Sequence, residues 1–83
     1  MNTRDQILAN LGDVLNRASN GRAKIDQLKE NARIIEDVGL SSLDMLELRC
    51  ELEERWQTTI PDDELIHLQT IGDIISLVER NGK

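Results

Sequence analysis

Glu36-Asp37-Val38-Gly39-Leu40-Ser41-Ser42-Leu43-Asp44 carries two adjacent hydroxyls directly into an amphipathic stretch that continues to Trp56. Gly39 supplies a backbone conformation that other residues resist, just where a helix must begin. Ser41-x-x-Asp44 reads as a capping box, with Asp44 in place of the more usual Glu or Gln. A helix N-terminus leaves several N–H groups unpaired and carries partial positive charge, so a phosphate attached to a serine there is stabilised. The stretch therefore places a modifiable hydroxyl at the mouth of a helix expected over residues 42–56. Capping alone would also explain a serine at this position, since Ser is a preferred N-cap.

Steps of about 100° along that helix separate three faces. Met45, Leu48, Leu52 and Trp56 form a core stripe, while Asp44, Glu47, Glu51 and Glu54 fall nearly opposite. Leu43, Leu46 and Cys50 make a third stripe beside the acids, expected to be partly exposed. Glu51 and Arg55 are spaced for an i,i+4 ion pair.

Working outward, Ile7, Leu8, Leu11, Val14, Leu15 and Ala18 recur at helical spacing and predict a first helix over 3–18. Thr3 and Gln6 could box its start, and Asn20-Gly21 stops it. Residues 19–40 are irregular; Ile25, Leu28 and Ala32 allow a turn or short helix, and Ile34, Ile35 and Val38 read as anchors to the core. Such a long loop in a small domain calls for a task or internal structure, and delivering Ser42 would be the task. Pro61 begins a short third helix whose first-turn acids complement its dipole, with Leu65, Ile66 and Leu68 expected to turn inward. Thr70-Ile71-Gly72-Asp73 repeats the capping pattern before a last helix with Ile71, Ile74, Ile75 and Val78 on its core face, ending near Arg80. Asn81-Gly82 would close it. No segment shows strand alternation, so the fold class is all-α: a small bundle of three main helices plus one short helix, with a long loop between the first two.

The chain has 83 residues, sixteen acidic and ten basic, for a formal net charge of −6. That length suits one domain over 1–83 with a small core. The charge argues against nucleic acid, which requires clustered Lys and Arg. It favours partners with basic surfaces. Cys50 is the only cysteine, so no internal disulfide forms, as befits a reducing compartment. No apolar run approaches the roughly 20 residues that span a bilayer, and no signal-peptide stretch opens the chain; a cytoplasmic protein without membrane insertion is expected. The lone His67 has no neighbour at ligand spacing, so no metal site is expected. Neither a nucleophile–base arrangement nor a phosphate-cradling glycine loop is present, which argues against an enzyme.

Gly39-Leu40-Ser41-Ser42-Leu43-Asp44, followed by Glu47-Leu48 and Leu52-Glu53-Glu54, resembles the acyl carrier proteins and their peptidyl and aminoacyl relatives. The resemblance runs from about Ile34 to about Glu79. It implies a 4′-phosphopantetheine arm, derived from coenzyme A, on the serine before the Leu-Asp pair, which by position is Ser42. Ser41 stands where the family most often has Asp. The resemblance further implies that Leu43, Leu46 and Cys50 meet partner enzymes and that Asp44, Glu47, Glu51 and Glu54 face their Lys and Arg. Individual surface ion pairs contribute roughly 0 to 1 kcal/mol, so this docking should be weak and salt-sensitive. The expected partners are a phosphopantetheinyl transferase and acyl-activating, acyl-transferring or synthase enzymes, acting on a monomer. An adaptor that docks through the acidic helix and is never modified belongs to a different class and is the alternative.

Overall fold

The computed structural model describes residues 3–26 and 28–81. Among them are four α-helices: α1 (Thr3–Ala18), α2 (Ser42–Trp56), α3 (Asp62–Leu65) and α4 (Ile71–Asn81). No strand occurs among the described residues, only one isolated bridge between Arg33 and Thr70. The all-α reading holds, with one addition: a single π-helical turn, Ile34–Val38, lies inside the long loop.

Periodicity and caps explain the bounds. α1 buries Ile7, Leu11, Val14, Leu15 and Ala18 on one face and packs against both α2 and α4. It ends where Asn20 and Gly21 take positive φ of 55° and 83°, the Gly21 N–H returning to the Asn16 carbonyl at 2.8 Å. Thr3 is itself helical, so it is not the N-cap expected there, and the residue before it lies outside the described residues. Gly82, read as the last stop, also lies outside them. α2 contributes Met45, Leu48 and Leu52 to the core with Trp56 half-buried at its end. α4 buries Ile71, Ile74, Ile75 and Val78, and Leu77 as well.

The loop is held at several points rather than slung free. The Lys24 N–H donates to the Val38 carbonyl and the Ile34 N–H to the Gln69 carbonyl, both at 2.8 Å. At the start of α4, the N–H groups of Ile71 and Gly72 donate to the carbonyls of Ala32 and Glu30 at 2.9 and 2.8 Å, so the loop satisfies amides that a helix start leaves orphaned. Thr70 and Asp73 complete that cap: Asp73 accepts the Thr70 N–H at 3.0 Å and Thr70 Oγ1 accepts the Asp73 N–H at 3.2 Å. Arg4 of α1 bridges Glu30 of the loop and Glu79 of α4. Ile25, Leu28 and Ala32 are half-buried against the core but form no helix.

Two inward assignments are corrected. Ile35 is 51 % exposed and Ile66 is 73 % exposed. In each case a single turn offers one inward face. Ile34 and Val38, four apart, take it in the π turn, and Leu65 and Leu68, three apart, take it at α3. The intervening isoleucine then points to solvent.

Candidate functional site

The two serines at the mouth of α2 have different roles. Ser41 is the N-cap, with extended φ and ψ of −91° and 172°. Its Oγ accepts the Asp44 N–H at 3.2 Å, while Asp44 Oδ2 accepts the Ser41 N–H at 2.9 Å, closing the box read from the sequence. Ser42 is the first helical residue, exposed, and its hydroxyl makes no hydrogen bond among the described residues. Behind both, the π turn ends as the Val38 and Gly39 amides reach back five residues to the Arg33 and Ile34 carbonyls at 2.9 and 3.1 Å. Gly39 follows with φ 97°, a conformation that side chains resist, and it turns the chain into α2.

Asp44 does not join the exposed acid stripe. Only 7 % of it is exposed, because its carboxylate folds back onto the cap and is gripped from the loop. Arg22 Nη2 donates to both carboxylate oxygens at 2.7 Å, and its Nε is tied to the Ser19 carbonyl at 3.0 Å. Ser19 is itself buried: its Oγ donates to the Leu15 carbonyl and accepts the Ala23 N–H, both at 2.8 Å. The Ser41 N–H, and then Arg22, hold the Asp44 carboxyl below the usual carboxylate range against the opposing effect of desolvation. Sequence reasoning missed Arg22, since nothing in its irregular surroundings marks it as a partner of α2.

Further down the helix, Glu47 and Glu54 are exposed and Glu51 is half-buried. Their carboxylates make no ion pair among the described residues. The expected pairing of Glu51 with Arg55 is replaced by one across to α1, where Arg55 meets Asp13. The apolar stripe is exposed as read: Leu43 at 76 %, Leu46 at 53 %, and Cys50, a free thiol. Arg49, between them, pairs with Asp62 at the start of α3.

Ser42 also stands in the wall of an apolar groove of about 350 Å³ lined by Ile35, Met45, Leu46, Leu65, Ile66 and Leu68. His67 is exposed, and the described residues hold no group of His, Cys, Asp or Glu able to bind a metal. No described helix is long and apolar enough to cross a membrane.

A family model described as the phosphopantetheine attachment site matches residues 5–78. The chain is 39 % identical over 56 residues to the acyl carrier protein of Wolinella succinogenes, covering 68 % of this chain and 74 % of that protein. It is 43 % identical over 54 residues to that of a Sulfurovum species, covering 65 % and 72 % respectively. It is 41 % identical over 58 residues to that of Campylobacter curvus, covering 70 % and 75 %. The chain thus belongs to the acyl carrier protein family, whose members are non-catalytic carriers bearing a covalently attached 4′-phosphopantetheine.

Proposed function

We propose that Ser42 carries the phosphopantetheine arm and that the chain holds acyl intermediates on it for successive partner enzymes. The observation that carries this reading is the division of labour at the helix mouth: the Ser41 hydroxyl is committed to the cap, while that of Ser42 is exposed and unengaged. The residues fit a phosphodiester. The first turn of α2 presents its positive end beside Ser42, and the one carboxylate nearest in sequence, Asp44, is folded into the cap and countered by Arg22.

When bound, the arm supplies a thiol that holds an acyl group as a thioester. The chain's own part is to present Ser42 Oγ as a nucleophile to a transferase, which with its Mg²⁺ would stabilise charge on the pyrophosphate of coenzyme A. Leu43, Leu46 and Cys50 then offer apolar contact to partner enzymes, and Glu47, Glu51 and Glu54 attract their basic residues. Asp44 contributes to this surface only through the cap. The acidic face of α2 and the Leu43-Asp44 pair after the serine favour an acyl cargo over an aminoacyl or peptidyl one, and the neutral Ser41 favours a specialised acyl-chain or secondary-metabolite pathway.

Incubation with coenzyme A, Mg²⁺ and a broad-specificity phosphopantetheinyl transferase, followed by intact-mass measurement, tests the reading. The wild-type chain should gain one phosphopantetheine. Ser42→Ala should gain none. Ser41→Ala should still be modified while losing about 1 kcal/mol of stability with its cap. Addition to Ser42→Ala would move the site to Ser41. No addition to wild type, beside a modified control carrier, would favour the adaptor that docks through its acidic helix and is never modified.

A further inference from the structure

Among the described residues, Ile35 and Ile66 are the two large aliphatic side chains that the fold exposes outside α2. Both line the groove whose wall contains Ser42, and both continue into the adjoining groove with Arg33, Glu36 and Leu68. Singly exposed hydrophobic residues are ordinary, but these two share one groove with the exposed Leu46, and contiguous apolar surfaces of this kind mark binding sites. Of the exposed acids on these elements, Glu36 pairs with Arg33 and Asp62 with Arg49, while Glu47 and Asp63 make no ion pair among the described residues.

The position of Ser42 selects the occupant. An enzyme acting at the far end of a long, flexible arm can stand clear of this groove. An enzyme that forms the bond to Ser42 Oγ must bring its reacting centre to bonding distance, and its surface then covers the isoleucines in the same wall. A second copy of the chain is disfavoured, since each carries a net charge of −6 and the acids left without an ion pair here, Glu47 and Asp63, would face their like. Resting on the assignment of Ser42 above, we propose that Ile35 and Ile66 form a docking ledge for the transferase that modifies this serine, an enzyme presenting there an apolar surface edged with basic residues.

Steady-state modification of the 83-residue chain with coenzyme A, Mg²⁺ and a broad-specificity transferase provides the test. Helical circular dichroism and urea midpoints serve as controls on the fold. The double variant Ile35→Ser/Ile66→Ser should keep both controls, because the side chains are solvent-facing. It should raise KM for the carrier about tenfold and leave kcat within about twofold, as loss of a docking contact does. His67→Ser, a neighbouring exposed change outside the Ser42 groove, should leave KM unaltered. Ile66→Lys should be more damaging than Ile66→Glu if the opposing edge is basic. An unchanged KM in the double variant, with wild type modified on Ser42, would overturn the ledge and leave the carrier assignment standing. If KM were unchanged while octanoyl-loaded protein lost thermal protection in the variant, the isoleucines would belong to the cargo instead. Failure of wild type itself to be modified, beside a modified control carrier, would sink the carrier assignment and the ledge with it.

Discussion

At the scale of single residues, the side chains that matter most are those whose neighbours decide their chemistry. Thr58, two residues past the end of α2, is buried, and among the described residues its Oγ1 has no hydrogen-bond partner. A buried hydroxyl without a partner forfeits its hydration for nothing in return, whereas a methyl of the same shape does not. Thr58→Val should therefore raise stability by about 1 kcal/mol, read as a higher urea midpoint with unchanged slope. A lower midpoint would mean that the hydroxyl has a partner after all. Asp44 shows the limit of reading residues from spacing. Counted along an ideal helix it belongs with Glu47, Glu51 and Glu54, and its sequence context also marks it as the third residue of a capping box. Both readings were available, and they conflict, because a carboxylate folded back to the Ser41 N–H is not offered to solvent. Its second partner was beyond reach: Arg22 meets Asp44 only because of where the loop crosses the helix mouth.

At the scale of elements, two glycines make opposite cases. Gly12 sits inside α1, where a Cβ would meet only Ile25 Cδ1 at 3.9 Å, an ordinary contact. Gly12→Ala should stabilise by about 0.5 to 1 kcal/mol, the helical cost of glycine. Gly72 lies in the first turn of α4, where a Cβ would come within 3.0 Å of the Glu30 carbonyl oxygen. That oxygen is held by the Gly72 N–H at 2.8 Å, so the loop cannot withdraw without losing the bond that caps α4. Gly72→Ala should cost about 1 to 3 kcal/mol by overpacking, despite the gain in helix propensity. Urea midpoints of the two variants should move in opposite directions; a rise in both would show that the loop slides at no cost. The long helices were legible because a 3.6-residue period persists over several turns, joined at α2 by its capping box, and α1 from Thr3 and α2 from Ser42 to Trp56 follow. The single turns were not. Ile35 and Ile66 each sit in an element too short to display a period, so hydrophobicity alone suggested burial where the geometry gives exposure.

For the whole molecule, the excess of acid that suits docking also sets the response to pH. Among the described residues three carboxyls are held below their ordinary range: Asp44 by the Ser41 N–H and then Arg22, Glu30 by Arg4, and Asp37 by the Arg33 side chain and backbone N–H. All three fasten the long loop, to the mouth of α2, to α1 and across its own π turn respectively. A carboxyl whose folded pKa is depressed binds fewer protons folded than unfolded. Its stabilisation is therefore complete above the unfolded value, near 4, and is lost as pH falls from there through the folded value. Stability should accordingly be level from pH 7 to about 5 and decline steeply below about 4. Asp44→Asn removes one titrating group while leaving an oxygen for the Ser41 N–H. It should be less stable than wild type at pH 7 and lose stability less steeply in acid, so that the two curves converge toward pH 2, below the unfolded carboxylate range. Urea midpoints taken at intervals across that range decide the matter. Parallel curves would mean that the carboxylate of Asp44 does not couple to folding, and that the loop is kept at the helix mouth by its backbone hydrogen bonds and by the burial of Ile34 and Val38 alone.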